Sequence, residues 1–97
     1  MSAHTKYILQ AARENKELAT EIYCELYIYD HYSKDEVGID MQAFTYQYEG
    51  VITENDWLDN LIYRLSSIFR RRGLSIILSL DDIADLFTYR NELGVAL

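Results

Sequence analysis

The sequence predicts an α+β domain in which a small sheet is covered on one face by helices, in the order helix, strand, strand, helix, strand, helix. Three observations predict it: two segments repeat their apolar residues with helical spacing, two tyrosine-rich segments alternate in polarity as strands do, and a short apolar run follows a glycine. The chain has 97 residues, 49% of them hydrophobic, and contains no linker-like stretch. We therefore expect residues 1–97 to form a single domain.

Helices are predicted for residues 2–18, 53–73 and 79–94. In residues 53–73 the apolar side chains recur every three or four positions, three arginines end the segment, and Gly73 follows as a stop signal. Residues 79–94 begin with Ser79 as a helix cap and carry Asp82 three residues later, which is the spacing of a capping box. Residues 2–18 are rich in helix-forming side chains.

Strands are predicted for residues 22–29, 43–53 and 74–80. If residues 22–29 continued a helix, Ile28 would enter a stripe of carboxylates and Asp30 would enter the apolar arc. As a strand, the same residues place Cys24 among inward aliphatic side chains and Glu25 among outward tyrosines. Residues 43–53 alternate in the same way after a polar loop at 33–40, and the apolar run at 74–80 fits a buried strand.

An all-helical bundle is the alternative fold. In that fold residues 3–29 form one long helix and residues 40–49 a short one. The spacing of Glu14, Glu17, Glu21 and Glu25 favours this bundle, because these carboxylates would share one helix face. The β-branched and aromatic content of residues 22–29 favours the sheet.

The net charge of −7 is unevenly distributed along the chain. Eleven acidic residues lie between Glu17 and Asp59, where Lys34 is the one basic residue, and the rest of the chain is slightly basic. Such a field repels phosphates and favours a cationic partner. We therefore expect a protein partner with a basic surface and no direct contact with nucleic acid.

No motif in the sequence indicates catalysis or a cofactor. The chain has two histidines, His4 and His31, and one cysteine, Cys24, without the spacing of a metal site or of a nucleophile and its base. It also lacks phosphate-binding and dinucleotide-binding glycine motifs. We expect no metal, no cofactor and no enzymatic activity. The unpaired cysteine and the absence of a signal-like or membrane-spanning run lead us to expect a cytoplasmic protein without membrane contact.

The most distinctive feature is the combination of tyrosines and carboxylates in the acidic stretch. Tyrosine is enriched at recognition surfaces, and alternation with carboxylates suits a basic partner. We expect an inhibitor or regulator of a nucleic-acid-handling protein, such as an immunity protein against a nuclease toxin or an anti-defence protein against a restriction or CRISPR-type complex, that mimics nucleic-acid charge. The residues expected to bind the partner are Glu21, Tyr23, Glu25, Tyr27, Tyr29, Asp30, Asp35, Glu36 and Glu49.

Two other functions remain open on sequence alone. The first is a small DNA-associated regulator with a degenerate helix-turn-helix at residues 79–97, which would use Arg70, Arg71, Arg72 and Arg90 for phosphate contacts. The second is a structural or assembly subunit whose exposed aromatic side chains form a homo-oligomer, for example a homodimer.

Overall fold

The computed structural model describes residues 1–31 and 54–95, with the side chains of all of these except residues 54–57. Four α-helices make up most of this part: α1 (Ala3–Glu14), α2 (Lys16–His31), α3 (Glu54–Arg71) and α4 (Leu80–Thr88). A 3₁₀ turn (Arg90–Leu93) follows α4. Helix α2 is central, since it packs against α1, α3 and the 3₁₀ turn, while α1 also packs against α4.

The α+β prediction is wrong for this part of the chain, because residues 1–31 and 54–95 contain helices and no strand. The all-helical alternative describes these residues better, although its single helix over residues 3–29 is divided in two at Asn15. The predicted helices at 53–73 and 79–94 are confirmed as α3 and α4, with the second ending early at Thr88. The predicted strand at 43–53, the loop at 33–40 and the alternative helix at 40–49 lie outside the described residues.

The predicted strand at 22–29 is wrong, because these residues form the second half of α2. Burial along α2 recurs with helical spacing at Leu18, Ala19, Ile22 and Leu26. The two residues that argued against a helix lie next to neighbouring elements: Ile28 is half-buried and lines a small groove together with Leu61 of α3, and Asp30 pairs with an arginine beyond α4. Cys24, expected in the core, is exposed on the outer face of α2.

Asn15 separates α1 from α2 by a single residue. Its backbone is extended, with φ −142° and ψ 100°, so the helical path is interrupted there. Its backbone N–H donates to the carbonyl oxygen of Ala12, and this bond ends α1. Its side-chain Oδ1 accepts a hydrogen bond of 3.2 Å from the backbone N–H of Leu18, and this bond caps α2. One asparagine therefore ends one helix and begins the next.

Helix α3 ends in a Schellman motif at Gly73. The N–H of Leu74 donates to the carbonyl of Phe69, and the N–H of Gly73 donates to the carbonyl of Arg70. Gly73 adopts φ +75°, in the left-handed region that favours glycine. The motif turns the chain so that Leu74 packs against the core cluster that contains Phe69.

The predicted strand at 74–80 is also wrong, since residues 74–79 have no regular secondary structure in the described part of the chain. Their burial nevertheless alternates as in an extended chain: Leu74, Ile76 and Leu78 pack inward, while Ser75, Ile77 and Ser79 are exposed.

All the described elements contribute to one apolar cluster. The largest fully buried apolar side chains come from every α-helix: Ile8, Leu9, Ile22, Leu26, Leu65, Phe69 and Leu86. None of the helices within residues 1–31 and 54–95 combines the length and the apolar composition needed to cross a bilayer.

Candidate interaction surface

Three glutamates of α2 face arginines in α3 and directly after it. Glu25 forms a two-pronged ion pair with Arg64, in which Nε donates to Oε2 at 2.6 Å and Nη2 donates to Oε1 at 3.0 Å. One turn earlier, Glu21 Oε1 accepts a hydrogen bond of 3.0 Å from Nη2 of Arg72. The same nitrogen lies 3.6 Å from Oε2 of Glu17. The spacing of four residues between the three glutamates thus aligns them along α3.

These ion pairs differ in burial and so in their effect. The Glu25 carboxylate is only 13% exposed, and bidentate, partly desolvated pairs are the strong kind. Glu17 is 82% exposed, where solvent screening leaves such pairs little energy. Glu21 is intermediate, and its buried Oε2 accepts no hydrogen bond from the residues that the structure describes; Nη2 of Arg71 lies 4.0 Å from it. Among these ion pairs, those of Glu25 and Glu21 therefore contribute most to holding α2 against α3.

The C-terminal end of α2 forms a cleft of about 270 Å³ together with the 3₁₀ turn. The ring of Tyr27 stacks on that of His31, with centroids 3.9 Å apart and planes 12° from parallel. The His31 Nδ1–H donates to the carbonyl oxygen of Tyr27, which orients the imidazole. Asp30 accepts a hydrogen bond of 2.9 Å from Nη1 of Arg90 at the mouth of the cleft. We call this site the α2 cleft; its lining also includes Tyr23, Leu26 and Asn91.

The nine sequence-predicted partner-binding residues do not share one face. Tyr23, Tyr27 and Asp30 come together in the α2 cleft. Glu21 and Glu25 instead face α3, and half-buried Tyr29 packs against Phe87 of α4, with ring centroids 5.6 Å apart. The other three, Asp35, Glu36 and Glu49, lie outside the described residues.

Sequence reasoning missed a polar cluster that joins the N-termini of α1 and α4. Asp82, only 3% exposed, accepts hydrogen bonds from the Ser79 N–H, the Ser2 hydroxyl and Nδ1–H of His4 at 2.9, 2.7 and 3.1 Å. Asp85 accepts from the N–H of Ser2 at 2.7 Å and from the Thr5 hydroxyl. The sequence predicted one part of this cluster, because Ser79 and Asp82 form the expected capping box. The contributions of Ser2, His4 and Thr5 could not be predicted, because these residues lie about 80 positions away in the sequence.

The environment of this cluster keeps both aspartates ionised. Burial alone would raise the pKa of Asp82, but hydrogen bonds from Ser2, Ser79 and His4 outweigh it and hold the pKa well below its usual range. The backbone N–H of Ser2 lowers the pKa of Asp85 against the opposing effect of burial. The Ser2 hydroxyl donates to the carboxylate and makes no bond to the imidazole, so the cluster lacks the contact that activates a nucleophile. The hydrogen bonds of the cluster connect the start of α1 to the start of α4.

The arginines proposed for DNA contact are largely engaged within the protein. Arg71, Arg72 and Arg90 each form an ion pair with a carboxylate, and exposed Arg70 forms none within residues 1–31 and 54–95. In the same part of the chain, no three histidine, cysteine or acidic side chains are grouped as a metal site would require.

Comparison of the chain with protein-family models, with curated proteins and with solved structures found no match.

Proposed function

We propose that this chain is a small cytoplasmic protein-interaction module that inhibits or regulates a partner with a basic, nucleic-acid-handling surface. The observation that supports the proposal is the net charge of −7 together with the concentration of acidic residues between positions 17 and 59. Within the described residues, the acids that pair with arginine are Glu17, Glu21, Glu25 and Asp30. Seven further acids between residues 17 and 59 are opposed in that stretch by Lys34 alone: Asp35, Glu36, Asp40, Glu49, Glu54, Asp56 and Asp59.

The acidic residues have two roles in this proposal: some stabilise the fold through ion pairs, and the acidic stretch as a whole attracts the partner. Glu21 and Glu25 hold α2 on α3, so their charge is largely compensated within the protein. The net negative charge of the acidic stretch supplies long-range attraction, which accelerates encounter with a positively charged surface and falls with ionic strength. In this proposal the partner meets carboxylates where nucleic-acid phosphates would otherwise bind.

The α2 cleft supplies short-range contacts suited to the same partner. The exposed stack of Tyr27 and His31 offers an aromatic surface on which a guanidinium group can pack. The pair of Asp30 with Arg90 is surface-exposed on both sides, so opening it costs little. An arginine of the partner can then replace Arg90 as the hydrogen-bond donor to Asp30.

Capture experiments with matched charge variants test the proposal. The first variant, Asp35→Asn with Glu36→Gln, removes two acids of the acidic stretch and leaves every described ion pair intact. The control variant, Glu14→Gln with Glu92→Gln, removes two exposed acids outside that stretch. Each protein is immobilised and exposed to lysate of the source cells at low and high salt.

We expect the wild type and the control to retain basic proteins that elute as salt is raised, and the first variant to retain much less of them. A captured protein should also lose activity on DNA or RNA when the free chain is added. Equal retention by the two variants, or retention insensitive to salt, contradicts the proposal.

A further inference from the structure

The segment 74–80 presents apolar side chains and unpaired backbone to solvent. Ile77 is 87% exposed and Leu80 is 61% exposed, which are the highest values among the large apolar residues of the described chain. The inward residues Leu74, Ile76 and Leu78 attach the segment to the core. The chain is thus held in place while its outer face remains open.

The middle of this segment, residues 75–78, also lacks backbone hydrogen-bond partners in the described part of the chain. The N–H and C=O groups of Ser75, Ile76, Ile77 and Leu78 make no hydrogen bond within residues 1–31 and 54–95, whereas the N–H of Ser79 is used by Asp82. A row of unpaired N–H and C=O groups on an extended chain is a template for another strand. An open groove of about 500 Å³ between the segment and α3 leaves space for one.

We propose that this segment pairs with the same segment of a second copy of this chain, as two antiparallel strands across a twofold axis at Ile77. The sequence of residues 74–80, LSIILSL, reads almost the same in both directions. Antiparallel pairing centred on Ile77 therefore places Ser75 opposite Ser79 and Ile76 opposite Leu78, with Leu74 and Leu80 flanking the paired residues. A twofold interface requires such self-complementarity, because each contact occurs twice.

Charge selects the antiparallel arrangement. The segment is preceded by exposed Arg70 and Arg71 at the end of α3 and followed by exposed Asp81 at the start of α4. In an antiparallel pair the arginines of one copy approach the aspartate of the other, whereas a parallel pair brings arginines together. Arg70 has no ion-pair partner within residues 1–31 and 54–95, which leaves it available to the second copy.

The test measures self-association of the full chain by sedimentation across a concentration series. The variant Ile77→Lys adds a charge at an exposed position, so it leaves the core intact, and we expect it to raise the dimer dissociation constant at least about tenfold. The control Tyr63→Lys changes another exposed apolar side chain, outside the segment, and should leave the dissociation constant unchanged. Arg70→Asp and Asp81→Arg should each weaken the dimer, and their combination should restore it.

Hydrogen exchange identifies the contact. Because the Ser79 N–H is already used by Asp82, the hydrogen-bonded pair across the axis is Ile76 with Leu78. The amides of Ile76 and Leu78 should therefore become more protected as the protein concentration rises, and those of the exposed helix faces should not. A strict monomer at the highest concentration, equal effects of Ile77→Lys and Tyr63→Lys, or a dimer without added protection in this segment would each overturn the proposal. These outcomes are independent of the capture experiments, because no residue of the acidic stretch is changed.

Discussion

Asp82 provides the sharpest test of how the two ends of the described chain are joined. Asp82→Asn keeps the size of the side chain and removes its charge. Three hydrogen bonds, from Ser2, His4 and Ser79, are made to the carboxylate. Bonds to a charged acceptor contribute roughly 1 kcal/mol more than neutral ones, and the carboxylate also interacts with two helix N-termini. Because the asparagine retains part of the network, we expect the free energy of unfolding at pH 7 to fall by about 2 kcal/mol.

The pH dependence separates this mechanism from a simple packing defect. The folded pKa of Asp82 lies below the ordinary value of 3.8, so its contribution is fully present above that pH and is lost as pH falls through the folded pKa. Protonated Asp82 resembles asparagine. The stability gap between wild type and variant should therefore narrow as pH falls below 3.8, by at most about 1.4 kcal/mol per pH unit.

Urea unfolding at several pH values from 7 to below 3.8 measures both the stability difference at pH 7 and its narrowing in acid. Asp81→Asn is the matched control, because Asp81 lies in the same helical turn but is exposed. This variant should lower the free energy of unfolding much less than Asp82→Asn does. A gap for Asp82→Asn that is below about 0.5 kcal/mol at pH 7, or that stays constant as pH falls, would refute the reasoning.

Two further predictions concern the helix ends. Gly73→Ala should lower the free energy of unfolding by about 1–2 kcal/mol, and the positive φ is the reason, since no heavy atom lies within 4 Å of the added Cβ. Gly73→Asn should lower it by less, because asparagine tolerates positive φ better than alanine does, and equal losses for the two variants would contradict this reason. Asn15→Ala should cost about 1 kcal/mol by removing the cap of α2, whereas Asn15→Ser, which can still accept from the N–H of Leu18, should retain most of the stability. Chemical denaturation measures both pairs of variants, and an alanine as stable as serine at position 15 would rule out the cap.

Helices α3 and α4 were predictable because their signals are local. The three- to four-residue repeat, the glycine after the arginines and the pairing of Ser79 with Asp82 act within one or two turns of each helix. The apolar pattern of residues 74–80 was less informative, because it predicted a buried strand and does not indicate that Ile77 is exposed. A partner strand does not follow from that pattern, and the described part of the chain has none.

Helix α2 was not predictable in the same way because its decisive contacts are distant in sequence. Glu25 meets Arg64 and Asp30 meets Arg90, so an acidic helix face that looked solvent-exposed packs against cations 39 and 60 residues away. Tyr29 likewise packs on Phe87. Alternation in residues 22–29 is compatible with strand and helix, and only these long-range contacts decide between them.

A double-mutant cycle on Glu25 and Arg64 tests most directly the central claim that the α2 carboxylates fix this helix to α3. Glu25→Gln, Arg64→Met and the double variant are unfolded in urea, and the same cycle on Glu17 and Arg72 serves as the exposed comparison. We expect a coupling free energy of at least about 1 kcal/mol for the first pair and near zero for the second. Coupling below about 0.3 kcal/mol between Glu25 and Arg64 would contradict the account.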